Sequence, residues 1–259
     1  MDKDKNNNPA YILEGNPDNP NNPSRKELDS LINTPDYEAY KILPKGTVKV
    51  KQKQDNVEFA AMVESMDESL GRIIAKLKEL GIQDNTIIFF YSDNGGMSAI
   101  NFGNSKRIVP KAQQDIAYST SNLPLRGAKG WLYEGGIRVP LIVKWPGKGM
   151  QNAESSTPVT SVDIFPTILN MVGFPEGIGK DKEGVDISPL IKGETINRGP
   201  IYWHFPHYSN HGMQSPGGAI RDGDYKLLEY FENGTVQLFN LKNDIEEQKD
   251  LSKMEVEKT

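Results

Sequence analysis

The sequence predicts an α/β domain that is followed by a small antiparallel sheet. Three observations lead to this prediction: an amphipathic helix pattern at 56–80, two segments typical of buried strands at 86–91 and 138–145, and short strands with hairpin turn signals in the last quarter of the chain. We therefore place the main domain at 57–185 and a small C-terminal α+β subdomain at 186–259.

The first 56 residues precede this domain and are rich in Asn, Pro, Asp and Lys. Asn and Pro in close succession are turn and breaker signals, so we expect mostly irregular structure in this segment. A short helix is predicted from residue 25 to 32, with Ser24 as its N-cap.

Helices and buried strands alternate through the main domain. Apolar residues recur at spacings of three and four in the helix at 56–80, which is predicted to end at Gly81. The run Thr-Ile-Ile-Phe-Phe-Tyr at 86–91 has no polar face, and it is predicted to be a strand buried on both sides and hence parallel. A second buried strand at 138–145 is stopped by Pro-Gly, and another helix is predicted at 161–169.

The C-terminal segment contains three short strand-forming runs, at 219–221, 225–231 and 236–241. Asp-Gly-Asp and Glu-Asn-Gly lie between these runs and are signals for hairpin turns. A small antiparallel sheet is therefore expected at the C-terminal end.

Composition excludes several classes of protein. The chain carries 30 basic and 35 acidic residues, a net charge of -5, without a long basic run, so nucleic acid is not an expected partner. No stretch approaches the roughly 18 apolar residues of a membrane span. The charged, Asn-rich first residues contain no secretion signal. The absence of cysteine excludes disulfides, thiolate metal sites and cysteine nucleophiles from this chain.

Asp93 and Asn94 follow directly after the first buried strand. The C-terminal ends of strands are where α/β sheets bind ligands, and carboxylate and amide oxygens suit Ca²⁺ or Mg²⁺ better than zinc. The Gly-Gly pair after Asn94 lets the backbone turn away sharply. The alternative interpretation is a structural Asx turn that ends the strand.

Lys129 lies in a glycine-rich stretch, Leu-Arg-Gly-Ala-Lys-Gly-Trp-Leu-Tyr-Glu-Gly-Gly-Ile-Arg-Val-Pro, directly ahead of the second buried strand. A lysine held in a tight loop can act as a compact positive charge toward an oxyanion. Glu134 and Arg138 are four residues apart and are candidates for an ion pair. The alternative is a surface connector with a solvated lysine.

Together, the two motifs resemble those of the sulfatase family, the arylsulfatase-like members of the alkaline-phosphatase-like superfamily. The likeness consists of Ser-Asp-Asn-Gly-Gly after a strand and Leu-Arg-Gly-x-Lys-Gly-x-x-x-Glu-Gly-Gly-x-Arg-Val-Pro about thirty residues later. It continues through Ile-Val-Lys-Trp-Pro-Gly, Val-Asp-Ile-Phe-Pro-Thr-Ile-Leu and Ile-Arg-Asp-Gly-Asp-Tyr-Lys-Leu. It covers roughly residues 57 to 251.

The resemblance implies a sulfuric ester hydrolase that acts on sulfated carbohydrates or aryl sulfate esters. Asp93 and Asn94 would be two ligands of an active-site Ca²⁺, and Lys129 would be a catalytic residue that contacts the sulfate ester. The fold would be a mixed or parallel sheet flanked by helices, with a small C-terminal antiparallel sheet. The nucleophile of such enzymes is a formylglycine made from the Cys or Ser of Cys/Ser-x-Pro-x-Arg. Such enzymes are commonly exported, so the parent enzyme is expected in the periplasm or outside the cell.

The sequence departs from this pattern at the nucleophile. No Cys/Ser-x-Pro-x-Arg motif occurs in the sequence. The segment Asn-Asn-Pro-Ser-Arg at 21–25 is similar, but it has Asn at the first position. An amide cannot be oxidised to the aldehyde. We therefore expect the chain to correspond to the C-terminal portion of a sulfatase, with little or no activity alone. A separately encoded N-terminal half is an expected partner.

His204 and His207 are further candidates for substrate binding. They lie where a predicted strand, Ile-Tyr-Trp-His-Phe, ends at Pro206. The C-terminal segments of sulfatases often help to shape the substrate pocket. The alternative is that both are ordinary hydrogen-bonded histidines.

Two other functions are compatible with the same motifs. A phosphodiesterase or phosphatase of the superfamily typically uses two zinc ions with an Asp-His pair at the same strand end, so Asn94 argues against it. A non-catalytic module that binds sulfated glycans would need only Lys129 and the segment 203–208, and the missing nucleophile favours it for this chain.

Overall fold

The computed structural model describes residues 11–15, 26–27, 30, 47–99, 118–174, 183–209 and 214–255. Within these residues the chain divides into two compact units that interleave along the sequence. The first unit comprises residues 1–65, 92–139 and 202–259, and the second comprises 66–91 and 140–201. The boundary between 57–185 and 186–259 stays a prediction.

The first unit begins with an antiparallel pair of strands, β1 (Tyr11–Gly15) and β2 (Thr47–Lys51). The prediction of mostly irregular structure before residue 57 was wrong for these ten residues. The sequence of β2 alternates polar and apolar residues, and Val48 and Val50 are buried in the core. Lys26, Glu27 and Ser30 are helical, and the rest of the helix predicted at 25–32 lies outside the described residues.

The long helix α1 (Val57–Glu79) confirms the helix that the periodicity of its sequence predicted. Asn56 precedes it, and the side chain of Asn56 accepts a hydrogen bond of 3.0 Å from the backbone N–H of Phe59, as an N-cap does. Gly81 follows the helix with a φ of 68°, a conformation that is common just past a helix end because glycine adopts it without strain.

The C-terminal sheet of the first unit has the strand order β5-β6-β7-β8. Its strands are β5 (Ile201–Phe205), β6 (Gly217–Asp222), β7 (Tyr225–Tyr230) and β8 (Thr235–Asn240). Both hairpins are antiparallel, with turns at the two predicted Gly positions. The predicted antiparallel sheet at the C-terminal end is therefore confirmed.

The hydrophobic core of the first unit joins four separate parts of the chain, one of which contributes Ala99. Strand β2 contributes Val48 and Val50, and strands β6 to β8 with the residue after them contribute Ala219, Leu228, Tyr230, Phe239 and Leu241. The glycine-rich stretch contributes Ala128, Trp131, Leu132 and Tyr133. The segment that the sequence left open as a surface connector is thus a central part of the core. A short helix, α2 (Glu134–Ile137), ends it.

The second unit contains the strands β3 (Ile88–Tyr91) and β4 (Leu141–Lys144), which pair antiparallel. The prediction that β3 is a parallel strand buried on both faces was wrong within the described residues, where β3 is half-buried and Tyr91 is exposed. A continuous apolar run predicts that both faces of a strand are buried, but it carries no information on the direction of the neighbouring strand.

Asp163 organises the helical part of the second unit, which includes α3 (Ile164–Met171) and α4 (Ser188–Ile191). Its buried carboxylate accepts hydrogen bonds from the backbone N–H groups of Thr160 and Val185, each at 2.8 Å, and forms an ion pair of 2.9 Å with Arg198. A carboxylate this buried is stable only when it is fully paired. The predicted helix start at residue 161 is confirmed, and Thr160 forms a capping box there with Asp163.

We expect Asp163→Ala to lower the free energy of unfolding by about 3 kcal/mol, because it leaves Arg198 and two backbone donors buried without an acceptor. Urea unfolding of the full chain measures this. The exposed carboxylate variant Glu194→Ala is the control and should unfold as the parent does; equal midpoints for both variants would contradict the assignment.

Candidate functional site

The candidate site starts at the turn after β3, which holds Asp93 and Asn94. The carboxylate of Asp93 accepts a hydrogen bond of 3.0 Å from the backbone N–H of Asn94, and the Asn94 side-chain amide donates to the Gly95 carbonyl at 2.9 Å. Ser92 closes the turn by donating its hydroxyl to the Asn94 carbonyl. Asp93 is exposed and Asn94 is half-buried. The turn is therefore self-supporting, and it presents oxygen atoms at a strand end.

Backbone contacts join this turn to the stretch that carries Lys129. The N–H of Gly95 donates to the carbonyl of Gly136 at 2.9 Å, and the N–H of Lys129 donates to the carbonyl of Gly96 at 3.1 Å. A Cβ atom on Gly95 would lie 1.8 Å from the carbonyl oxygen of Gly135. Only glycine permits this approach, so the two motifs that the sequence suggested separately form one structure.

Asn122 fixes the same junction, and the sequence analysis missed it. Its side-chain oxygen accepts from the Gly96 N–H at 3.1 Å, and its amide nitrogen lies within hydrogen-bonding distance of the carbonyls of Gly96 and Gly127 and of the Ser98 hydroxyl. No local pattern in the sequence distinguishes this asparagine from other turn residues. Its role depends on a contact across 26 residues.

The Lys129 side chain is half-buried, and it forms no ion pair with any described residue. Its backbone is rigidly held, because the neighbouring Trp131, Leu132 and Tyr133 are buried in the core of the first unit. A charged side chain on a fixed backbone is an arrangement suited to binding an anion.

Arg126 and Tyr133 form a cation–π pair inside the glycine-rich stretch, with the guanidinium carbon 4.2 Å from the ring centroid. Arg126 also pairs with Glu14 of β1 at 3.1 Å. Burial raises the pKa of the Tyr133 hydroxyl to about 12, so it stays protonated and donates to Gln237 on β8 at 2.7 Å. These contacts tie the stretch to both sheets of the first unit.

Glu134 is buried at the end of the stretch and is the centre of an ion cluster. Arg138 lies 3.4 Å from its carboxylate, as the spacing of four predicted, but Lys226 lies closer at 3.0 Å. Glu247 is the second carboxylate on Lys226. Burial alone would raise the pKa of Glu134, but Lys226, Arg221 and Arg138 hold it below its usual value, whereas burial keeps the pKa of Glu247 above its usual value. Sequence spacing could not find Lys226 or Glu247.

His204 and His207 are both exposed. The ring of His204 lies 5.7 Å from that of Phe231, and the ring of His207 meets that of Phe205 edge-on at 5.7 Å. Neither histidine forms a hydrogen bond or ring contact with Lys129 among the described residues. A role for them in substrate binding stays a prediction.

The metal-ligating residues of the described part of the chain do not form a complete site. Asp93 and Asn94 provide hard oxygen donors of the type that Ca²⁺ prefers, but Ca²⁺ takes about six to eight oxygen ligands. Within the described ranges, no group of three or more His, Cys, Asp or Glu residues could hold a metal ion. The two residues therefore provide the type of ligand that calcium prefers, but too few ligands to complete a calcium site.

Comparison with known proteins agrees with this arrangement of motifs. A family model described as Sulfatase matches residues 17–174, and a second, described as N-sulphoglucosamine sulphohydrolase, C-terminal, matches residues 128–258. The chain belongs to the sulfatase family. Both candidate motifs lie inside the first match, and the second begins just before Lys129 and extends over the C-terminal sheet.

Individual relatives support the same assignment. A sulfatase of Formosa agariphila is 31% identical over 232 residues, which are 80% of this chain and 38% of that protein. Steryl-sulfatase of Rattus norvegicus is 33% identical over 53% of this chain and 22% of its own length. The solved structure of Ps i-CgsB in complex with k-i-k-neocarrahexaose is 30% identical, with a TM-score of 0.60, over 78% of this chain and 40% of that one.

The structural likeness confirms the predicted alkaline-phosphatase-like α/β fold. The chain spans less than half the length of each of these relatives. In the described part of the chain, no helix has both the length and the hydropathy needed to cross a membrane.

We expect Gly95→Ala to separate the two motifs, since its Cβ would overlap the Gly135 carbonyl. The free energy of unfolding should fall by more than about 2 kcal/mol, as in other overpacked sites. Urea unfolding provides the measurement.

The matched control for this variant is Gly71→Ala, where the added Cβ meets no atom within 4 Å. This change lies in the middle of α1 and should raise stability by up to about 1 kcal/mol. Tolerance of alanine at residue 95 would show that the backbone contact is not required.

Proposed function

We propose that this chain is part of a sulfatase that hydrolyses sulfated carbohydrates or aryl sulfate esters. The observation that carries the proposal is the backbone contact that places the Asp93–Asn94 turn beside the Lys129 loop in a chain of the sulfatase family. The sugar bound to Ps i-CgsB supports a carbohydrate substrate, and the name of rat steryl-sulfatase supports a steryl sulfate ester.

Lys129 would bind the sulfate group of the ester. Hydrolysis transfers the sulfuryl group to water and releases the alcohol and sulfate. A positive charge fixed beside the sulfate oxygens speeds this reaction because it stabilises the negative charge that develops in the transition state. The rigid backbone of residues 126–136 supports this role, because a preorganised charge needs no rearrangement at the moment of reaction.

Asp93 and Asn94 would supply two ligands of a calcium ion. Together they offer three side-chain oxygens, fewer than the about six to eight that Ca²⁺ takes, and residues outside the described part of this chain would supply the others. The same holds for the formylglycine, because the sequence contains no Cys/Ser-x-Pro-x-Arg motif. We therefore expect the chain alone to have little or no activity.

The exposed apolar surface of α1 supports a polypeptide partner. This helix has an apolar stripe along its length, yet none of its 23 residues is buried. The exposed fraction is 44% for Val63, 49% for Met66 and 57% for Ile73 within the helix, and 57% for Leu80 just after it. An amphipathic helix in a folded domain normally turns such a stripe toward a core.

The sheet of the second unit is similarly incomplete. Strands β3 and β4 pair only with each other among the described residues, and Ile142 on β4 is 62% exposed. A two-stranded sheet is marginally stable by itself, and its free edges accept further strands. In α3, Phe165 and Ile168 are also exposed.

We propose that these faces are covered by a polypeptide with the part of a sulfatase domain that this chain does not match. The chain matches 38% of the Formosa agariphila sulfatase and 40% of Ps i-CgsB, so about three fifths of such a protein would remain. A separately encoded N-terminal half would meet this description. An exported parent enzyme, periplasmic or extracellular, is part of the same proposal.

Sulfate-ester turnover tests the proposed activity. The chain is combined with a polypeptide comprising the part of the Formosa agariphila sulfatase that it does not match, and hydrolysis of 4-methylumbelliferyl sulfate is followed. Lys129→Gln should lower kcat/KM at least about a hundredfold, as loss of one oxyanion-stabilising donor does elsewhere. Lys53→Gln, which changes an exposed lysine outside the motifs, should have no effect.

The same assay separates the alternatives. Hydrolysis of 4-methylumbelliferyl phosphate without the sulfate would favour a phosphatase. Lys129-dependent retention on a sulfated-glycan column without turnover would favour a non-catalytic binding module, for which the missing nucleophile motif is the supporting observation.

The docking face is tested by charge substitution on α1. Ile73→Glu should weaken binding of the complementary polypeptide by at least about tenfold, because it buries an unpaired carboxylate. Binding is measured by sedimentation or surface-immobilised titration. Ala75→Glu adds the same charge on another face of the helix and should bind as the parent does. A self-associating chain that Ile73→Glu makes monomeric would instead identify a second copy as the occupant.

A further inference from the structure

Lys226 occupies a position where the pattern of β7 calls for an apolar residue. Residues 226, 228 and 230 alternate into the core, and Lys226 is as fully buried as its neighbour Leu228. Its amine lies 3.0 Å from one carboxylate oxygen of Glu134 and 2.8 Å from one of Glu247. An apolar trio of similar volume would pack such a core at least as stably. Stability alone therefore does not require these charges.

Glu247 contacts both ends of the segment that carries Lys129. Its second carboxylate oxygen accepts a hydrogen bond of 2.7 Å from the backbone N–H of Glu134, and its backbone carbonyl accepts one of 3.0 Å from the guanidinium of Arg126. Lys129 lies between these two points in the sequence. One buried residue of the C-terminal tail thus spans the base of the loop.

The tail is folded so as to present Glu247 in this position. Glu247 has a φ of 52°, a left-handed conformation that a non-glycine residue adopts only when its surroundings hold it there. The carboxylate of Asp244 supports the turn by accepting from the N–H groups of Gln248 and Lys249, at 3.0 and 2.8 Å. The strained residue and the buried ion cluster coincide at the base of the loop.

We infer that Lys226 and Glu247 are positioning residues that, through Glu134 and Arg126, fix the loop carrying Lys129. The other side of the loop is held by the backbone contacts of Gly95 and Gly96, so Lys129 is set between the Asp-Asn turn and the C-terminal tail. The C-terminal subdomain therefore contributes to the candidate site through the backbone of the loop. The catalytic consequence rests on the proposed function of Lys129.

Hydrogen exchange on the full chain tests the positioning itself. In Glu247→Ala, the amide of Glu134 should exchange about tenfold faster or more, because it loses a hydrogen bond to a carboxylate. Glu247→Gln keeps an acceptor oxygen and should restore most of the protection. Glu246→Ala, a change of the exposed glutamate one residue earlier, should match the parent chain.

A second variant separates positioning from general support of the fold. Lys226→Met replaces the amine with an unbranched, apolar side chain. The amides of the loop should then exchange faster, while those of strands β7 and β8 stay protected. The inference stands if at least one of Glu247→Ala and Lys226→Met releases the loop selectively. It is overturned if both leave the loop unchanged, or if both release loop and strands together.

Turnover in the assembled enzyme provides an independent test of the link to Lys129. Glu247→Ala should lower kcat, and its loss should be less than additive with that of Lys129→Gln, because both act through the same amine. Additive losses would contradict the link. If Lys129→Gln is itself fully active, the proposed function fails, while the exchange results still decide whether Glu247 holds the loop.

Discussion

The backbone approach of Gly95 to Gly135 and Gly136, next to the hydrogen bond between Lys129 and Gly96, is the constraint on which the candidate site depends. Atoms at these positions are so close that a single Cβ would overlap a carbonyl oxygen. The approach places a strand-end turn with two oxygen-bearing side chains against a loop with one lysine. Glycine supplies no chemistry of its own here, but it determines which chemical groups become neighbours.

The loop that carries Lys129 is also part of a hydrophobic core. Trp131, Leu132 and Tyr133 anchor it between strand β2 and the C-terminal sheet, and Gln214 and Gln237 bind its backbone and side chains. The small C-terminal sheet thus forms the wall against which the loop is folded. A loop with its own buried aromatic residues has few alternative conformations, which suits a site that must hold a charge in place.

The second unit has the opposite character. The buried carboxylate of Asp163 is paired within the unit, whereas the apolar residues of α3, of β4 and of the part of α1 that belongs to it remain exposed. Exposed apolar surface of this extent is typical of an interaction site. The limited share of the relatives' length that the chain spans gives the same indication. The second unit thus combines a paired buried carboxylate with exposed apolar side chains on several of its elements.

Local sequence patterns were enough to predict the helix α1, the strands β3 and β4, the C-terminal hairpins and the two motifs around Asp93 and Lys129. Periodicity, glycine placement and turn residues are local properties, so each could be recognised within one segment. The folded chain was needed to show that β3 and β4 run antiparallel and that Asn122, Lys226 and Glu247 belong to the site. Those features depend on contacts between residues from about twenty to more than a hundred positions apart, and the pattern within a segment does not record which distant segment will meet it.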